Sequence, residues 1–278
     1  MKKKIILWMI SLFYLLPLQA QKIQFIVNGG NDTSENALAK NAKLQTANFV
    51  VDTNDDIYIA ENYRIRKIDH VTGKIKTVVG NGIPGTSADG MYAGSSIKLT
   101  TQIKIYNGEL YWIEGNRIRR LHAQTAFAVP VMNTVVGDTN AGYSGDGGLA
   151  KDATLNAPSD FCFDLLGNMY IADYNNEVIR KVSTSGIITT IAGIGPGGTP
   201  PADPEGMIAT STSILPFQVQ TDYNNTLHFS MHIGTALKLC RILSNGKIHV
   251  ETNTNNYDAG GEFGFPPNQI GYYDGTRF

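Results

Sequence analysis

Residues 134–193 read TVVGDTNAGYSGDGGLAKDATLNAPSDFCFDLLGNMYIADYNNEVIRKVSTSGIITTIAG, and this stretch decides the fold. Four short runs rich in β-branched and aromatic residues alternate in it with Gly, Asp and Asn. This alternation predicts four β-strands joined by turns. The motif Thr-Val-Val-Gly at 134–137 returns at the end of the stretch as Thr-Ile-Ala-Gly at 190–193. The stretch is therefore read as one unit of a repeat.

Three sequence landmarks recur along the chain with a period near 57 residues. Thr-Val-Val-Gly occupies 77–80 as well as 134–137. A strand with a central Tyr occupies 57–60, 110–113 and 169–172, and a His replaces that Tyr in a fourth copy at 227–230. A basic strand occupies 64–68, 117–121 and 178–182, with a weaker copy at 239–243. Because the three landmarks recur in the same order and with similar spacing, they predict a tandem array of one module.

Several motifs within the third copy belong to one known family. They are a Gly-rich loop at 142–148, Asn-Ala-Pro at 156–158, Asp-x-x-Gly-Asn-x-Tyr-Ile-Ala-Asp at 164–173 and Ile-Arg-Lys-Val at 179–182. At these residues the sequence resembles the NHL-repeat β-propellers, of the secreted bacterial type, and the resemblance extends over 23–278. It implies an all-β fold, a β-propeller built of four-stranded antiparallel blades. Such propellers host unrelated functions, so the resemblance is specific for fold and not for activity.

The repeat divides residues 21–278 into about four and a half units. Blade-like units are expected at about 47–80, 81–137, 138–193 and 194–251, with a partial fifth at 252–278. A strand at 22–27 matches the last strand of a unit and would complete the final blade, which removes an exposed edge. Propellers have about 4 to 8 blades, and this family most often has about six. We therefore expect the chain to be incomplete at its C-terminus. The alternative is a ring closed by 22–27 with a short fifth blade.

Residues 1–20 have the composition of a secretory signal peptide. Lysines at 2–4 precede an apolar run at 5–16, Pro17 ends that run, and Ala20 offers a small residue for cleavage. The twelve apolar residues are fewer than the roughly 20 that a membrane-spanning helix needs. We therefore expect cleavage, with a mature protein that is secreted, periplasmic or at the cell surface and is not bound to a membrane.

The composition argues against two further classes of protein. The net charge is −1, so no basic footprint for nucleic acid is expected. The chain has two cysteines, fewer than a disulfide-stabilised scaffold would carry. Cys162 and Cys240 fall in predicted strands of neighbouring units and are expected to be buried apolar fillers. A bridge between them is the open alternative.

Two sets of acidic residues recur at blade spacing. One set is spaced by 57 residues at Asp32, Asp89, Asp146 and Asp203. The other follows the Tyr-containing strand at Glu61, Glu114 and Asp173. Both sets should emerge on one face of a propeller, so a ring of carboxylates is expected near the mouth of the central channel. Such oxygens could bind a divalent cation such as calcium. The alternative is that each Asp bonds its own backbone in a turn, which a repeat would inherit with the same spacing.

Other metal and catalytic motifs are incomplete. Asp52, Asn54 and Asp56 have the alternate spacing of an EF-hand start, but that loop lacks its Gly and its final Glu. His228 and His232 lack the Glu of a His-Glu-x-x-His motif, although His232 is expected in a loop where it could meet a ligand. The recurring arginines of the third strand are expected to form a solvated or salt-bridged strand face rather than an anion site. No catalytic residue, metal ligand set or cofactor is therefore predicted.

Two functional hypotheses remain. The first is an exported, non-enzymatic binding or scaffold module that presents its loop face to a protein, peptide or glycan outside the cytoplasm. Its candidate aromatic contacts are Tyr63, Tyr92, Trp112 and Tyr143. The alternative, which the resemblance implies, is a metal-dependent lyase or hydrolase with its active site at the central channel, because similar propellers include an amidating lyase, a streptogramin lyase and lactone hydrolases. The His residues do not recur at blade spacing and the inner strands offer few ligands, so the sequence favours the first hypothesis.

Overall fold

The computed structural model describes residues 32–44, 46–98, 100–122, 129–233 and 236–251. These residues form four antiparallel sheets arranged as the blades of a β-propeller, which confirms the predicted fold class. The predicted signal peptide, the strand at 22–27 and the partial unit at 252–278 lie outside the described residues. Within the described part of the chain, no helix has the length and apolar character to span a membrane.

Blades I and II are antiparallel meanders in which consecutive strands are neighbours. Blade I consists of β1 (Thr46–Val51), β2 (Ile57–Glu61), β3 (Arg64–Ile68) and β4 (Ile75–Gly80). A short strand, β5 (Met91–Tyr92), precedes blade II and pairs with its last strand. Blade II consists of β6 (Thr100–Tyr106), β7 (Glu109–Glu114), β8 (Arg117–His122) and β9 (Val131–Gly137).

Blades III and IV repeat the same order of strands. Blade III consists of β10 (Asp160–Phe163), β11 (Met169–Asp173), β12 (Val178–Val182) and β13 (Ile188–Ala192). Blade IV consists of β14 (Pro216–Thr221), β15 (Leu227–Ile233), β16 (Ala236–Ile242) and β17 (Ile248–Val250).

The first strand of each blade is the innermost strand. The first strands contact one another from blade to blade, and hydrogen bonds join β10 directly to β14. Ser159 Oγ, next to β10, donates to Phe217 O at 2.7 Å, and Thr221 Oγ1 donates to Phe163 O at 2.7 Å. The fourth strands, β4, β9, β13 and β17, therefore lie at the periphery of the propeller.

The outer edge of every described blade is covered by the connection that precedes that blade. In blade II the cover is β5, where Met91 pairs with Met132 of β9. In the other blades single bridges make the same contact: Leu38 with Lys74, Leu149 with Ile187, and Ile208 with Lys247. Covered edges prevent the unpaired backbone of the outer strand from recruiting another chain.

The blades are held together by apolar layers between their sheets. Trp112 is fully buried in the layer between blades I and II, and Phe161 is fully buried between blades II and III. Because strands in this position are covered on both faces, they do not alternate between buried and exposed residues. Strand β11 is buried at all five of its residues. Such strands are therefore not expected to show a period-two alternation of apolar and polar residues in their sequence.

Steric contacts explain why a glycine ends each Thr-Val-Val-Gly-type motif. Gly193 has φ +93°, and a Cβ there would lie 2.3 Å from Glu177 O. At the equivalent positions, a Cβ on Gly80 would lie 2.3 Å from Tyr63 O, and a Cβ on Gly137 would lie 2.5 Å from Asn116 O. The end of each fourth strand thus packs directly against the turn between the second and third strands, and only glycine permits this approach.

We expect Gly193→Ala to lower the free energy of unfolding by at least about 2 kcal/mol, because the new methyl group meets backbone atoms that cannot move aside. Gly186→Ala is the matched control, since Gly186 has φ +81° with nothing within 4 Å of the added carbon. The control substitution should lower the free energy of unfolding by about 1 kcal/mol, because it introduces only backbone strain. Urea unfolding of both variants measures the difference, and equal costs would contradict the steric explanation.

Candidate functional site

The connections to each blade and the turns between second and third strands emerge on one rim of the propeller. Second strands end at this rim and first strands begin at it, because the strands of each meander are antiparallel. We call this rim the loop face. The turns between first and second strands lie at the opposite rim. All residues of the two predicted acidic sets belong to segments of the loop face.

The acidic residues that end the second strands are buried rather than displayed at an open mouth. Glu61, Glu114 and Asp173 are 3%, 1% and 0% exposed. Glu114 accepts hydrogen bonds from Arg117 Nη2 at 2.8 Å and from Arg119 Nη1 at 3.3 Å. These side chains are therefore engaged inside the blades and do not form the expected ring of carboxylates near the mouth of the central channel.

Asp173 shows how such a buried carboxylate is satisfied. It accepts hydrogen bonds from the Asn156 N–H at 2.7 Å and from Asn176 Nδ2 at 2.8 Å, and Arg180 Nη1 lies 3.6 Å away. Burial raises the pKa of Asp173 to about 6, and the hydrogen bonds and Arg180 offset only part of that increase. Asp173 thus joins the connection before blade III to the turn that follows β11.

A fully buried arginine stands at the same position of the third strand in blades I, II and III. These residues are Arg66, Arg119 and Arg180, each 0% exposed. Arg119 donates to Ser87 O at 3.2 Å and to Ala88 O at 3.1 Å, and Arg180 donates to Ser144 O at 2.9 Å. Each guanidinium therefore ties the backbone of the connection to its blade. Arg119 and Arg180 form salt bridges, one of the two expected arrangements, and their full burial contradicts the other, a solvated strand face.

Asp89 and Asp146 of the first acidic set complete these networks at the outer strands. Asp89 accepts from both the N–H and Oγ1 of Thr134 at 2.8 Å and lies 3.3 Å from Arg119. Asp146 accepts from the Thr190 N–H at 3.1 Å and from Arg180 Nη2 at 2.8 Å. Both threonines belong to fourth strands. The expectation that these carboxylates ring the channel mouth is corrected, because they lie at the periphery of the blades.

Asp32 and Asp203 have different contacts despite their equal spacing. Asp32 Oδ1 accepts from the Ser34 N–H at 2.8 Å, which holds the pKa of Asp32 below its usual value. Asp203 Oδ1 accepts from the Glu205 N–H at 3.1 Å. Both are local Asx turns, the alternative that the sequence left open.

The contacts made by Asp89 and Asp146 are taken over in blades I and IV by glutamates. Glu35 accepts from the Thr77 N–H at 2.7 Å, and Glu205 accepts from the Val250 N–H at 2.7 Å. Neither glutamate is indicated by the repeat, because the spacing of the aspartates alone does not show which carboxylate reaches the outer strand.

Blade IV replaces the buried ion pair with two apolar side chains. Met231 stands where the other blades have Glu61, Glu114 and Asp173, and Cys240 stands where they have the buried arginine. Both are 0% exposed. The thiols of Cys240 and Cys162 are free, and burial raises the pKa of Cys240 to about 12. The expectation of buried apolar fillers agrees with these positions.

The predicted aromatic contacts differ in their accessibility. Trp112 is a core residue whose Nε1 lies 3.4 Å from Glu114 Oε2, so its assignment to a binding surface is corrected. Tyr143 is 42% exposed and covers the Arg180 guanidinium at 5.2 Å from its ring centroid. Tyr92 is exposed at the outer edge in β5, and Tyr63 is half-buried in the turn after β2.

Two shallow polar crevices lie on the loop face. One, of about 430 Å³, lies beside the turn after β2 and is lined by Glu61, Asn62, Tyr63, Arg64, Asn81 and Gly82. The other, of about 320 Å³, lies between blade II and the connection to blade III and includes Asp89, Arg117, Lys151 and Asp152. In both, arginine is already paired with carboxylate, as in the bond of 2.5 Å between Arg64 Nε and Glu61 Oε2.

His232 was expected in a loop, but it lies within strand β15 and pairs with Leu237 of β16. It belongs to an aromatic trio that no sequence motif indicates. The Phe217 ring centroid lies 5.6 Å from that of His232 and 6.2 Å from that of Tyr174. Phe217 is 38% exposed on an inner strand, where it faces the loop rim. We name these three residues the aromatic trio.

An ion pair between two inner strands, with a buried carboxylate and a partly exposed lysine, was also missed. Lys104 Nζ of β6 lies 3.4 Å from Asp160 Oδ1 of β10, and the Val219 N–H donates to Asp160 Oδ2 at 3.1 Å. Asp160 is 4% exposed, and burial raises its pKa. Nothing in the residue types alone indicates this pair, because two blades contribute to it. Among the described residues, no group of three or more His, Cys, Asp and Glu side chains is placed to hold a metal ion.

We expect the buried ion pair of blade III to be strongly coupled. Arg180→Met should lower the free energy of unfolding at pH 7 by about 3 kcal/mol, because it leaves Asp173 buried without its cation. Adding Asp173→Met gives blade III the methionine found in blade IV and should recover at least about 1 kcal/mol. A double-mutant cycle in urea measures this, and additive costs would contradict the coupling.

The raised pKa of Asp173 predicts a pH dependence of stability. The folded state keeps a proton on Asp173 up to about pH 6, whereas the unfolded chain releases it near the ordinary value of 3.8. The stability contributed by this residue therefore falls as the pH rises between these values. The Asp173→Asn variant lacks this pH dependence, because an amide does not titrate in this range. The stability of the variant relative to the wild type should rise by at most about 3 kcal/mol from pH 4 to pH 7. A flat or falling difference in urea titrations would contradict the assignment.

Curated proteins similar to this chain contain NHL repeats or belong to the teneurins. NHL repeat-containing protein 2 of Homo sapiens is 24% identical over 188 residues, covering 58% of this chain and 26% of the relative. Teneurin-1 of Caenorhabditis elegans is 28% identical over 167 residues, covering 59% of this chain and 6% of the relative. Teneurin-4 of Homo sapiens is 30% identical over 145 residues, covering 48% and 5%. The chain thus spans about a quarter or less of these relatives. No protein-family profile matches it.

Solved structures with a similar chain path include proteins of different activity. An auxiliary nutrient binding protein from Bacteroides thetaiotaomicron has a TM-score of 0.47 and 16% identity, covering 64% of this chain and 43% of that one. Virginiamycin B lyase from Staphylococcus aureus, with Quinupristin, has a TM-score of 0.46 and 18% identity, covering 76% and 57%. At these values no activity transfers to this chain.

Proposed function

Because the chain belongs to the NHL-repeat β-propellers, whose fold serves unrelated functions, we propose that it is an exported binding or scaffold module. In this proposal the loop face holds a protein, peptide or glycan outside the cytoplasm, and the propeller performs no chemistry on it. The expected signal peptide supports export to a secreted, periplasmic or cell-surface location.

The observation that carries the proposal is the way the loop face is immobilised. Arg119 and Arg180 are wholly buried, and each bonds a loop carbonyl and a loop carboxylate. Arg119 also bonds the second-strand carboxylate of Glu114, and Arg180 lies 3.6 Å from that of Asp173. Long connections held at several points lose little conformational entropy when a ligand binds. A rigid surface of this kind is what binding proteins use to limit the cost of association.

The same contacts favour a module without a bound metal. The carboxylates that could have bound calcium already accept hydrogen bonds from arginine, threonine and backbone N–H groups. A cation at Glu114 or Asp173 would have to displace a buried guanidinium from its partner, which leaves a buried charge without compensation. We therefore propose that binding needs no divalent cation.

One observation favours the alternative of a lyase or hydrolase at the central channel. Asp160 and Lys104 are titratable residues on adjacent inner strands, and the pKa of Asp160 is raised by burial. Buried groups with shifted pKa values are common in active sites. The pair also has a structural explanation, since it joins blades II and III. The proposed test distinguishes the two functions.

The test uses the full chain with arrays of oligosaccharides and synthetic peptides. We expect at least one probe to bind with equal affinity before and after dialysis against EDTA, and mass spectrometry should recover that probe unchanged. Hydrogen exchange should show protection on the loop face and not at the turns 164–168 and 222–226 of the opposite rim. Metal that survives dialysis in stoichiometric amount, together with a cleaved or rearranged probe, would instead establish the enzyme.

A further inference from the structure

The inner strand of blade IV carries an aromatic residue where other blades have a small one. A register shift between Pro216 and Gln218 makes Phe217 the extra residue of a β-bulge. At the position of Phe217, blades I, II and III have Ala47, Thr101 and Ser159. Bulges redirect side chains and are frequent next to binding sites. Here the bulge leaves a phenyl ring 38% exposed on the loop face.

The two flanking rings also depart from the pattern of blades I and II. Tyr174 and His232 each follow the residue that ends the buried part of a second strand, Asp173 or Met231. Blades I and II have Asn62 and Gly115 at that position. Three aromatic side chains therefore occur together at one junction, between blades III and IV, at positions that the repeat elsewhere fills with small or polar residues.

The geometry of the aromatic trio leaves ring surface available to a ligand. The plane of Phe217 makes angles of 76° with Tyr174 and 72° with His232, so the rings do not stack face to face on one another. Tyr174 and His232 are only partly buried. The Phe217 backbone is held by the Ser159 hydroxyl at 2.7 Å, and the His232 N–H donates to Leu215 O at 3.1 Å. The trio is thus a pre-formed, anchored aromatic surface.

Neutral hydrogen-bonding groups adjoin the trio. Asn175 follows Tyr174, is exposed, and directs its Nδ2 to Asn156 Oδ1 at 3.3 Å. The hydroxyl of Ser159 lies beside Phe217. Amides and hydroxyls both donate and accept hydrogen bonds, and so do the hydroxyl groups of a sugar.

We propose that Tyr174, Phe217 and His232 form a stacking subsite for the ring of a neutral saccharide, with Asn175 and Ser159 as hydrogen-bonding neighbours. The proposal rests on the proposed function of the loop face as a binding surface and names its ligand class. The apolar C–H face of a pyranose ring packs on an aromatic ring, while its hydroxyl groups reach the surrounding polar atoms. A mostly apolar surface with a few placed polar groups is the usual composition of a small-ligand site.

A peptide fits these observations less well. Extended peptides bind most simply by adding a strand to an open sheet edge. In the four described blades the outer edge is already paired with the preceding connection. A helical peptide needs a long apolar groove with anchors at several turns, whereas the trio spans a single junction.

The test is isothermal titration calorimetry of the full chain with short linear oligosaccharides of glucose, mannose, xylose, galactose and N-acetylglucosamine. Phe217→Ser gives blade IV the residue that blade III has at Ser159, and it should weaken binding of the recognised sugar by about tenfold or more. Tyr223→Ala is the control. Tyr223 is 63% exposed, belongs to the same blade and lies at the opposite rim, so affinity should be unchanged.

A second variant keeps the test decisive if Phe217→Ser unfolds. Tyr174→Asn introduces the residue that blade I carries at Asn62, and it should cause a similar loss of affinity with little change in Tm. Saccharide binding that neither variant weakens would overturn the subsite and leave the proposed function standing. Binding of synthetic peptides alone, with loss on Phe217→Ser, would overturn the saccharide assignment. Failure of every sugar and peptide probe to bind would overturn the subsite and the proposed function together.

Discussion

The charged guanidinium groups of Arg66, Arg119 and Arg180 lie where water does not reach them. A buried cation is tolerated only when carboxylates and carbonyl groups surround it. In blades II and III these partners come from the end of the second strand and from the preceding connection. In blade II the fourth strand adds the carbonyl of Met132. The need to satisfy one buried charge therefore ties the long connection to the sheet in blades II and III.

This attachment has two consequences for the molecule. It brings the connection alongside the outer strand, so that bridges such as Leu149 with Ile187 cover the sheet edge. It also holds the connection on the loop face with little freedom to move. The same segments that protect the propeller from pairing with other chains thus form a surface held at several points. We locate the proposed ligand there because binding to a rigid surface costs little ordering.

Blade IV shows that the fold does not require the buried ion pair in every repeat. Met231 and Cys240 replace the acid and the arginine together, which removes both charges and leaves neither unpaired. Glu205 nevertheless keeps its bond to the outer strand through the Val250 N–H. Relief from the charge constraint coincides with the appearance of Phe217 and His232 in the same blade. Divergence of one repeat is how a symmetric scaffold acquires a local site.

The sequence by itself determined the repeat, the strand order within each blade and the glycine that ends each fourth strand, because these follow from local periodicity and backbone sterics. It also placed Asp89 and Asp146 in the connections of the loop face, whereas His232 lies in strand β15 and not in a loop. Only the tertiary structure decided what the side chains contact. Asp32 and Asp89 share a spacing but not a role, since the path of each connection sets whether an Asp or a longer Glu reaches the outer strand. Trp112 is buried because the neighbouring blade covers it, and Phe217 is exposed because a bulge turns it outward. Contacts between segments distant in sequence create both effects, and no local pattern contains them.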